Sequence, residues 1–389
     1  MPFPQKTART IQVTETCNAL CGLGAKVDLF WAGCKGRGWR EAGLSFYGVK
    51  PYEGLRLHQI PSLLPSRTSR LRLSWRTPFD LLCAACFSAM TGRSGKERWV
   101  LYTRDLDLAR RLFPIARRRG ILAVYEAHDL KQRAMAAEAE EAGRRPNPAK
   151  LARIVRLEKT VFLSADAVTA VSEGTVDAVR SVCPETDVHL VPNGVRLLER
   201  EETRVGGVPG GPVAYSGHLY GWKGVERMIQ ALKALPGIPF FILGGDEDPS
   251  HLEKLRTRMA EAGLMDRGTL RGFVPPSEVR SHLVQARALI LSLPDTHYNR
   301  HFTCPLKLLE YMTTGVPIVA SDLPTVASIA RHDREAWLVA PDEVSALTQG
   351  IRRVVDDTEL SQRLGRAALE RVGEYSWEER ARKILALAE

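Results

Sequence analysis

Thr303-Cys304-Pro305-Leu306-Lys307-Leu308-Leu309-Glu310-Tyr311-Met312-Thr313-Thr314-Gly315-Val316-Pro317-Ile318-Val319-Ala320-Ser321-Asp322 reads as a helix with punctuation at both ends, followed by a buried strand. Pro305 suits the first helical position, where a missing N–H costs nothing. Gly315 suits the left-handed residue past the helix end, and Pro317 blocks continuation. Leu308, Leu309 and Met312 fall on one face at helical spacing, while Lys307, Glu310 and Thr314 line another. A helix start presents unpaired N–H groups and partial positive charge, which favours a phosphate. Lys307 adds a full charge there, and Glu310, one turn on, is placed to accept hydrogen bonds from sugar hydroxyls. These residues fit a site for a nucleoside diphosphate and its ribose. They fit as well a surface helix with an ordinary Lys307–Glu310 pair, worth roughly a few tenths of a kcal/mol.

Outward from this stretch, short apolar runs alternate with longer helical patterns, the mark of parallel α/β layering. Residues 26–30, 99–102, 122–125, 167–171 and 188–191 read as strands of a first half. Residues 213–216, 240–243 and 288–291 restart the pattern. Between them, Glu199 to Pro212 is charged and then rich in Gly and Pro, as a linker would be. A closing helix runs from Trp377 to Leu387. The expected architecture is α/β with two Rossmann-like domains, residues 1–198 and 213–374, joined by a linker at 199–212 and closed by residues 375–389.

A chain of 389 residues exceeds one ordinary core, which agrees with two domains. With 44% hydrophobic and 26% charged residues, the composition is that of a soluble globular protein. No apolar run reaches the ~18–20 residues of a membrane helix, and the longest, Phe79 to Met90, reads as a core helix. The start, Met1 to Lys6, lacks the apolar core of a signal peptide. The 7 cysteines are scattered, and Cys83-Ala84-Ala85-Cys86 has no second Cys/His pair nearby, so buried thiols in a reducing cytosol are expected over zinc or redox use. The net charge of +10 is uneven: residues 1–200 carry 32 Lys+Arg against 20 Asp+Glu. Basic groups cluster at Arg67, Arg70, Arg72 and Arg76, and at Arg110, Arg111, Arg117, Arg118 and Arg119. Such a half fits an anionic membrane surface or a lipid-linked phosphate, and fits as well an arginine-rich set of solvated helix faces. No aromatic–basic motif supports nucleic acid.

Two further constellations carry chemistry. Tyr215-Ser216-Gly217-His218-Leu219-Tyr220-Gly221-Trp222-Lys223-Gly224 lies between a strand and a helix, where open α/β sheets bind ligands. Its glycines let backbone approach a ligand, and Lys223 can neutralise a diphosphate. Val124-Tyr125-Glu126-Ala127-His128-Asp129-Leu130 ends a strand and enters a loop. There Asp129 can fix the His128 imidazole, or the histidine is simply a surface loop residue. Asp246-Glu247-Asp248 has the form of a metal-binding DxD and reads as a plain loop after a glycine-ended strand.

The stretch from Pro305 to Asp322, the loops at 215–224 and 124–130, Val191-Pro192-Asn193-Gly194-Val195 and Arg271-Gly272-Phe273-Val274 together resemble glycosyltransferase family 4, over nearly the whole chain. That family has the two-domain GT-B fold, with a cleft between the domains and a last helix that crosses back onto the first. The resemblance implies donor contacts from Gly217, His218, Lys223, Gly244, Gly272, Phe273, Pro305, Leu306, Lys307 and Glu310. It implies catalytic roles for His128, Lys223 and Glu310, and acceptor contacts from Lys6, Thr10 and Asp129. It implies no metal and no cofactor, with lysines supplying the charge a metal would bring. The implied reaction is retaining transfer from a nucleotide-diphosphate sugar to a glycan, lipid-linked or small-molecule acceptor. The implied setting is the cytoplasm, with peripheral contact of the basic half at the anionic inner membrane face and no nucleic acid partner. A GT-B nucleotide-sugar 2-epimerase and a non-catalytic nucleotide-sugar-binding protein remain the alternatives.

Several residues depart from the family pattern. His218 stands where an Arg or equivalent is usual, and Arg196 replaces the Asp of the "PNGVD" turn. The usual Gly pair is missing near Lys6 and Thr10. Phe302 occupies a position, eight before Glu310, that often holds Glu. The family's opening strand is also missing: residues 2–10 read as a loop before a helix from Ile11 to Leu23. A central sheet edge without its partner is costly, so the natural start is expected upstream.

Overall fold

The computed structural model describes residues 7–32, 39–60, 76–92, 98–141, 145–197, 204–219, 223–245 and 249–389. Lys6, Cys34, the Arg67, Arg70 and Arg72 cluster, Tyr220-Gly221-Trp222 and Asp246-Glu247-Asp248 lie outside the described residues. The chain forms two compact units. Unit 1 comprises Met1–Ser45, Val49–Pro192 and Arg380–Glu389, and unit 2 comprises Phe46–Gly48 and Asn193–Glu379.

In chain order, the first thirteen elements are α1 (Ala8–Gly22), β1 (Val27–Ala32), α2 (Trp39–Phe46), β2 (Leu55–Ile60), α3 (Arg76–Thr91), β3 (Val100–Thr103), α4 (Leu106–Arg118), β4 (Leu122–Ala127), α5 (Lys131–Glu141), α6 (Pro148–Ser164), β5 (Ala167–Ala170), α7 (Glu173–Val182) and β6 (Val188–Leu190). The strands form a parallel pair, β1-β2, and a parallel sheet in the order β3-β4-β5-β6. Among the described residues, β1 pairs only with β2 and β3 only with β4. Residues of β4 and β5 are buried almost throughout, as strands covered on both faces of a parallel sheet must be. Helix starts follow local chemistry: the Asp105 carboxylate accepts from the Asp107 and Leu108 N–H groups, both at 3.1 Å, and so caps α4.

One expected boundary moves. The helix at the chain start begins at Ala8 rather than Ile11, because Thr7 is its N-cap and accepts from Thr10 N–H at 3.4 Å. Thr10 therefore lies in the first turn of α1, 1% exposed, with its hydroxyl 2.8 Å from that of Thr7. It is a buried capping partner and not the exposed acceptor contact expected of a loop.

Unit 2 continues with β7 (Val213–Ser216), α8 (Val225–Lys233), β8 (Phe240–Leu243), α9 (Pro249–Glu261), β9 (Gly268–Leu270), α10 (Pro276–Leu283), β10 (Ala288–Leu291), α11 (His297–His301), α12 (Leu306–Met312), β11 (Ile318–Ser321), α13 (Pro324–Ala327), β12 (Trp337–Val339), α14 (Val344–Asp356) and α15 (Thr358–Arg371). The closing helix, α16 (Trp377–Ala386), starts in unit 2 and ends among the residues of unit 1. All six strands are parallel, in the order β12-β11-β10-β7-β8-β9. The order reverses between β7 and β10, and ligands of open α/β sheets bind at the carboxyl ends of strands at such a point. Strands β7, β8, β10 and β11 are buried at every residue. Their inward side chains meet α8 and α14 in a core that includes Tyr215, Met228, Phe240, Ile290 and Ile351.

The Gly/Pro-rich segment expected as a linker is packed into unit 2. Gly206 N–H donates to Gly315 O at 2.8 Å, and Gly207 N–H to the Ser361 hydroxyl at 2.9 Å. Pro305 is the N-cap of α12, in extended conformation, one position before its expected place. Gly315 has φ +70°, the left-handed conformation its position demands.

Candidate functional site

The switch point of unit 2 gathers most of the expected donor residues. Gly217 follows β7, Gly244 follows β8 and Gly272 follows β9, and hydrogen bonds link the three loops. Gly217 N–H donates to Leu243 O at 2.8 Å, and Gly244 N–H to Gly272 O at 2.7 Å. Gly244 has φ +140°, and a Cβ there would lie 1.8 Å from Gly217 O. No other residue allows that backbone approach.

Lys307, in the first turn of α12, reaches across this floor. Its Nζ donates to the Tyr215 hydroxyl and lies 3.9 Å from the centre of the Tyr215 ring. Tyr215 in turn donates to His218 O at 2.7 Å, and Ser216 N–H donates to the Tyr311 hydroxyl at 2.9 Å. Both tyrosines are fully buried. Burial and the neighbouring charge of Lys223 push the Lys307 ammonium well below its ordinary range, with Glu310 opposing the shift. Burial lowers Lys223 to about 8. Burial raises Glu310 to about 7 against the pull of Lys307. Two amines and one carboxyl thus share a poorly hydrated place at the sheet's ligand-binding edge, where charged groups favour an ionic or hydroxyl-rich partner.

Gly217 has φ +127°, and a Cβ there would stand 2.6 Å from Lys307 Cε and 2.7 Å from Nζ. Gly217→Ala is expected to displace the Lys307 amine and to weaken nucleoside diphosphate binding by about tenfold, with about 1–3 kcal/mol of backbone strain. Calorimetric titration together with a thermal melt of the variant checks both numbers.

Other expected donor residues take different places. Phe273 is 39% exposed and stacks on Phe46 at 6.1 Å. Pro305 and Leu306 are half-buried at the start of α12. Phe302 caps the C-terminus of α11, is 3% exposed, and meets His297 edge-on at 5.5 Å and Tyr298 at 6.1 Å. The position that often carries an acid in the resembled family is here part of an aromatic cluster. Arg196 donates to Gly48 O at 2.7 Å, so it anchors a turn of unit 2.

Unit 1 builds a second polar site around His128, at the end of β4. The imidazole is held by Glu126, two residues before it, where Asp129 is the expected partner. Side chains alternate along a strand, so residues two apart share a face. Glu126 is 3% exposed, and its Oε1 also accepts from Gln12 Nε2 at 2.7 Å and from Arg380 Nη2 at 2.8 Å. Arg104 donates to Gln12 Oε1 at 3.0 Å. Arg380, itself 3% exposed, also donates to Val191 O and Pro192 O, each at 2.7 Å, and to Thr16 Oγ1 at 3.1 Å. Although burial works against it, the charge of Arg380, the hydrogen bond from His128 and the charge of Arg104 hold the Glu126 carboxyl well below its ordinary value. Burial lowers His128 to about 4, against the pull of Glu126. The imidazole is thus neutral at pH 7, with Nε2–H directed at the carboxylate and Nδ1 left as an acceptor. A hydroxyl can donate to that nitrogen.

Glu126, Arg380, Gln12, Arg104 and Tyr215 were not among the expected site residues. Two of them carried a signal. Glu126 is a charge inside an otherwise apolar strand, which requires a partner. Arg380 shares the apolar face of α16 with Trp377, Ala381 and Ile384, all at most 4% exposed. Gln12, Arg104 and Tyr215 had no such mark. Cys83 is buried and Cys86 half-buried on α3, and burial pushes the Cys83 thiol up to about 12. Among the described residues, no group of three or more His, Cys, Asp or Glu side chains is placed to hold a metal ion.

Two α/β units with parallel sheets, one with a cationic switch point, define the GT-B class of fold. Solved structures agree. Sucrose-phosphate synthase from Thermosynechococcus elongatus matches with a TM-score of 0.72 at 19% identity, over 98% of this chain and 92% of that one. Anabaena HepE, solved with UDP and glucose, matches with a TM-score of 0.69 at 14% identity, over 99% and 97%. Residues 211–371 match the family model for glycosyl transferases group 1, and residues 10–194 match the glycosyl transferase 4-like domain. The chain belongs to this glycosyl transferase family. A D-inositol 3-phosphate glycosyltransferase from Nocardioides sp. is 31% identical over 142 residues, 36% of this chain and 30% of that protein. The chain spans between 15% and 55% of the length of the first three curated relatives it matches.

Proposed function

We propose that the protein is a retaining glycosyltransferase that moves a sugar from a nucleoside diphosphate to a glycan, lipid-linked or small-molecule acceptor without a metal ion. The observation that carries this reading is Lys307 seated on Gly217 and Tyr215 at the switch point, close enough to Lys223 for the charge of Lys223 to disfavour that of Lys307. A diphosphate relieves that repulsion and accepts hydrogen bonds from both amines. Glu310, one turn along α12, receives the ribose hydroxyls. Lys223 and Lys307 then stabilise the charge that develops on the departing diphosphate, the main task when a phosphate leaves. His128 accepts from a sugar hydroxyl through Nδ1. Phe302 offers no carboxylate to form a covalent glycosyl-enzyme, so the reading favours same-face displacement assisted by the leaving group. The UDP complex of HepE makes UDP-sugars the first donors to try.

The test is a product assay with a panel of labelled nucleotide sugars. Release of a nucleoside diphosphate with the sugar transferred, or slowly hydrolysed, is the expected result, and the label keeps its anomeric configuration. A new nucleotide sugar with inverted C2 would identify an epimerase. Tight binding without any release across the panel would leave only a binding protein.

A further inference from the structure

Lys223 and Lys307 come from different parts of unit 2, and each amine ends a long flexible stem. Two such groups keep a fixed spacing only when both backbones are anchored to a common frame. Lys307 is anchored by Tyr215. The loop of Lys223 is anchored from another direction, by the chain that leaves β10.

Gly224, next to Lys223, is the N-cap of α8, with φ +74°. A Cβ there would lie 1.6 Å from Ser292 O, so the two backbones are in direct contact. The hydroxyl of Ser292, a residue 3% exposed, donates to Gly224 O at 2.8 Å. A second tie reaches the first turn of α8. Arg227 Nη2 lies 2.6 Å from Asp342 Oδ1, and Asp342 Oδ2 accepts from Asp295 N–H at 3.0 Å. Asp342 thus bridges α8 and the loop after β10, and it does so with φ +65°. Few residues other than glycine hold that conformation, although aspartate tolerates it. A side chain kept where glycine would sit without strain points to a duty of that side chain.

The loop after β10 is itself firmly built and leads to α12. Asn299, fully buried, donates to Pro294 O at 2.9 Å, and its own carbonyl accepts from the Thr303 hydroxyl at 3.0 Å. Thr303 stands two residues before Pro305, the N-cap of α12. One continuous segment, 292–307, therefore meets the start of α8 at its beginning and carries Lys307 at its end.

We propose that Ser292 and Asp342 are positioning residues, which hold the start of α8 on this segment and so set the place of Lys223 relative to Lys307. The inference rests on the donor reading and adds to it the two side chains that assemble its cationic pair. Misplacing an acting group by about 1 Å costs up to about a hundredfold in rate. Removing one of two ties costs less, about tenfold.

The test compares Ser292→Ala and Asp342→Gly with wild type. Alanine removes one hydroxyl from a carbonyl that also accepts from Arg227 N–H at 3.1 Å. Glycine keeps the backbone conformation at 342 and removes the carboxylate. Both variants therefore melt close to wild type. Each lowers kcat/KM by about tenfold, and neither lowers it further when added to Lys223→Ala. The strengthening of diphosphate affinity as pH falls through about 8 weakens in each. A merely structural role would leave that pH dependence intact and add its loss to that of Lys223→Ala. Wild-type kcat/KM and pH dependence in either variant overturns the inference and leaves the donor reading in place, as does a loss that adds in full to Lys223→Ala. Should Ser292→Ala fail to fold, Asp342→Gly, at an exposed position, decides the question alone. A wild-type protein that neither binds a nucleoside diphosphate nor releases one from a nucleotide sugar overturns the donor reading, and the inference with it.

Discussion

Arg380→Met lowers stability by about 3–5 kcal/mol, the cost of removing one partner from a buried ion pair. The change takes the charged partner from Glu126, the hydrogen-bonded partner from Thr16, and the donor from the Val191 and Pro192 carbonyls. Glu126 is left buried with Gln12 and His128 as donors. Its pKa rises, and the carboxylate no longer holds the imidazole in one tautomer. Arg380→Lys keeps the charge but cannot serve these acceptors at once, so it recovers only part of the loss. Chemical denaturation of wild type and both variants gives the comparison. A loss within about 0.5 kcal/mol, the range of ordinary surface substitutions, would remove the buried pair from the account of unit 1.

Lys307→Ala lowers kcat/KM by about 2–4 kcal/mol, or roughly 30- to 1,000-fold, as expected when a positioned charge at a leaving group is lost. The residue does no structural duty that alanine would ruin: it is half-buried, and Tyr215 keeps its bond to His218 O. The loss therefore appears in turnover, with the melting temperature little changed. The same chemistry sets the pH dependence. Only protonated amines attract a diphosphate, and burial lowers Lys223 to about 8. Diphosphate affinity thus strengthens as pH falls through about 8, and this dependence weakens in Lys223→Ala. Wild-type turnover in Lys307→Ala would show that the leaving group is stabilised elsewhere.

Much of unit 2 was legible because its signals are local. Continuous apolar runs such as Ala288-Leu289-Ile290-Leu291 identify buried parallel strands, and Gly315 with Pro317 marks a helix end. Lys223, Lys307 and Glu310 stood out as charges set at strand and helix ends. Unit 1 was harder to read. The partner of His128 depends on a strand's two-residue period and on a helix more than 250 residues away. A buried Glu–Arg pair of that separation leaves only half-signals at each end: a charge in a strand and a charge on an apolar helix face. Thr10 was misplaced because Thr7 caps the helix three residues earlier than the hydrophobic pattern suggests. The Gly/Pro-rich run near 206–212 has linker composition, yet its glycines serve close packing: a Cβ on Gly207 would lie 1.9 Å from Arg287 O. Composition alone does not separate a flexible glycine from a tightly packed one.

The proposed reaction requires α12 and the loop after β7 to hold a nucleoside diphosphate. Calorimetric titration of the protein with UDP, GDP, ADP and dTDP, with Glu310→Ala alongside, tests it most directly. The account predicts binding of one nucleotide above the others, weakened in the variant by loss of the ribose contact. Absence of binding by all four, in a protein whose melt shows it folded, would contradict it.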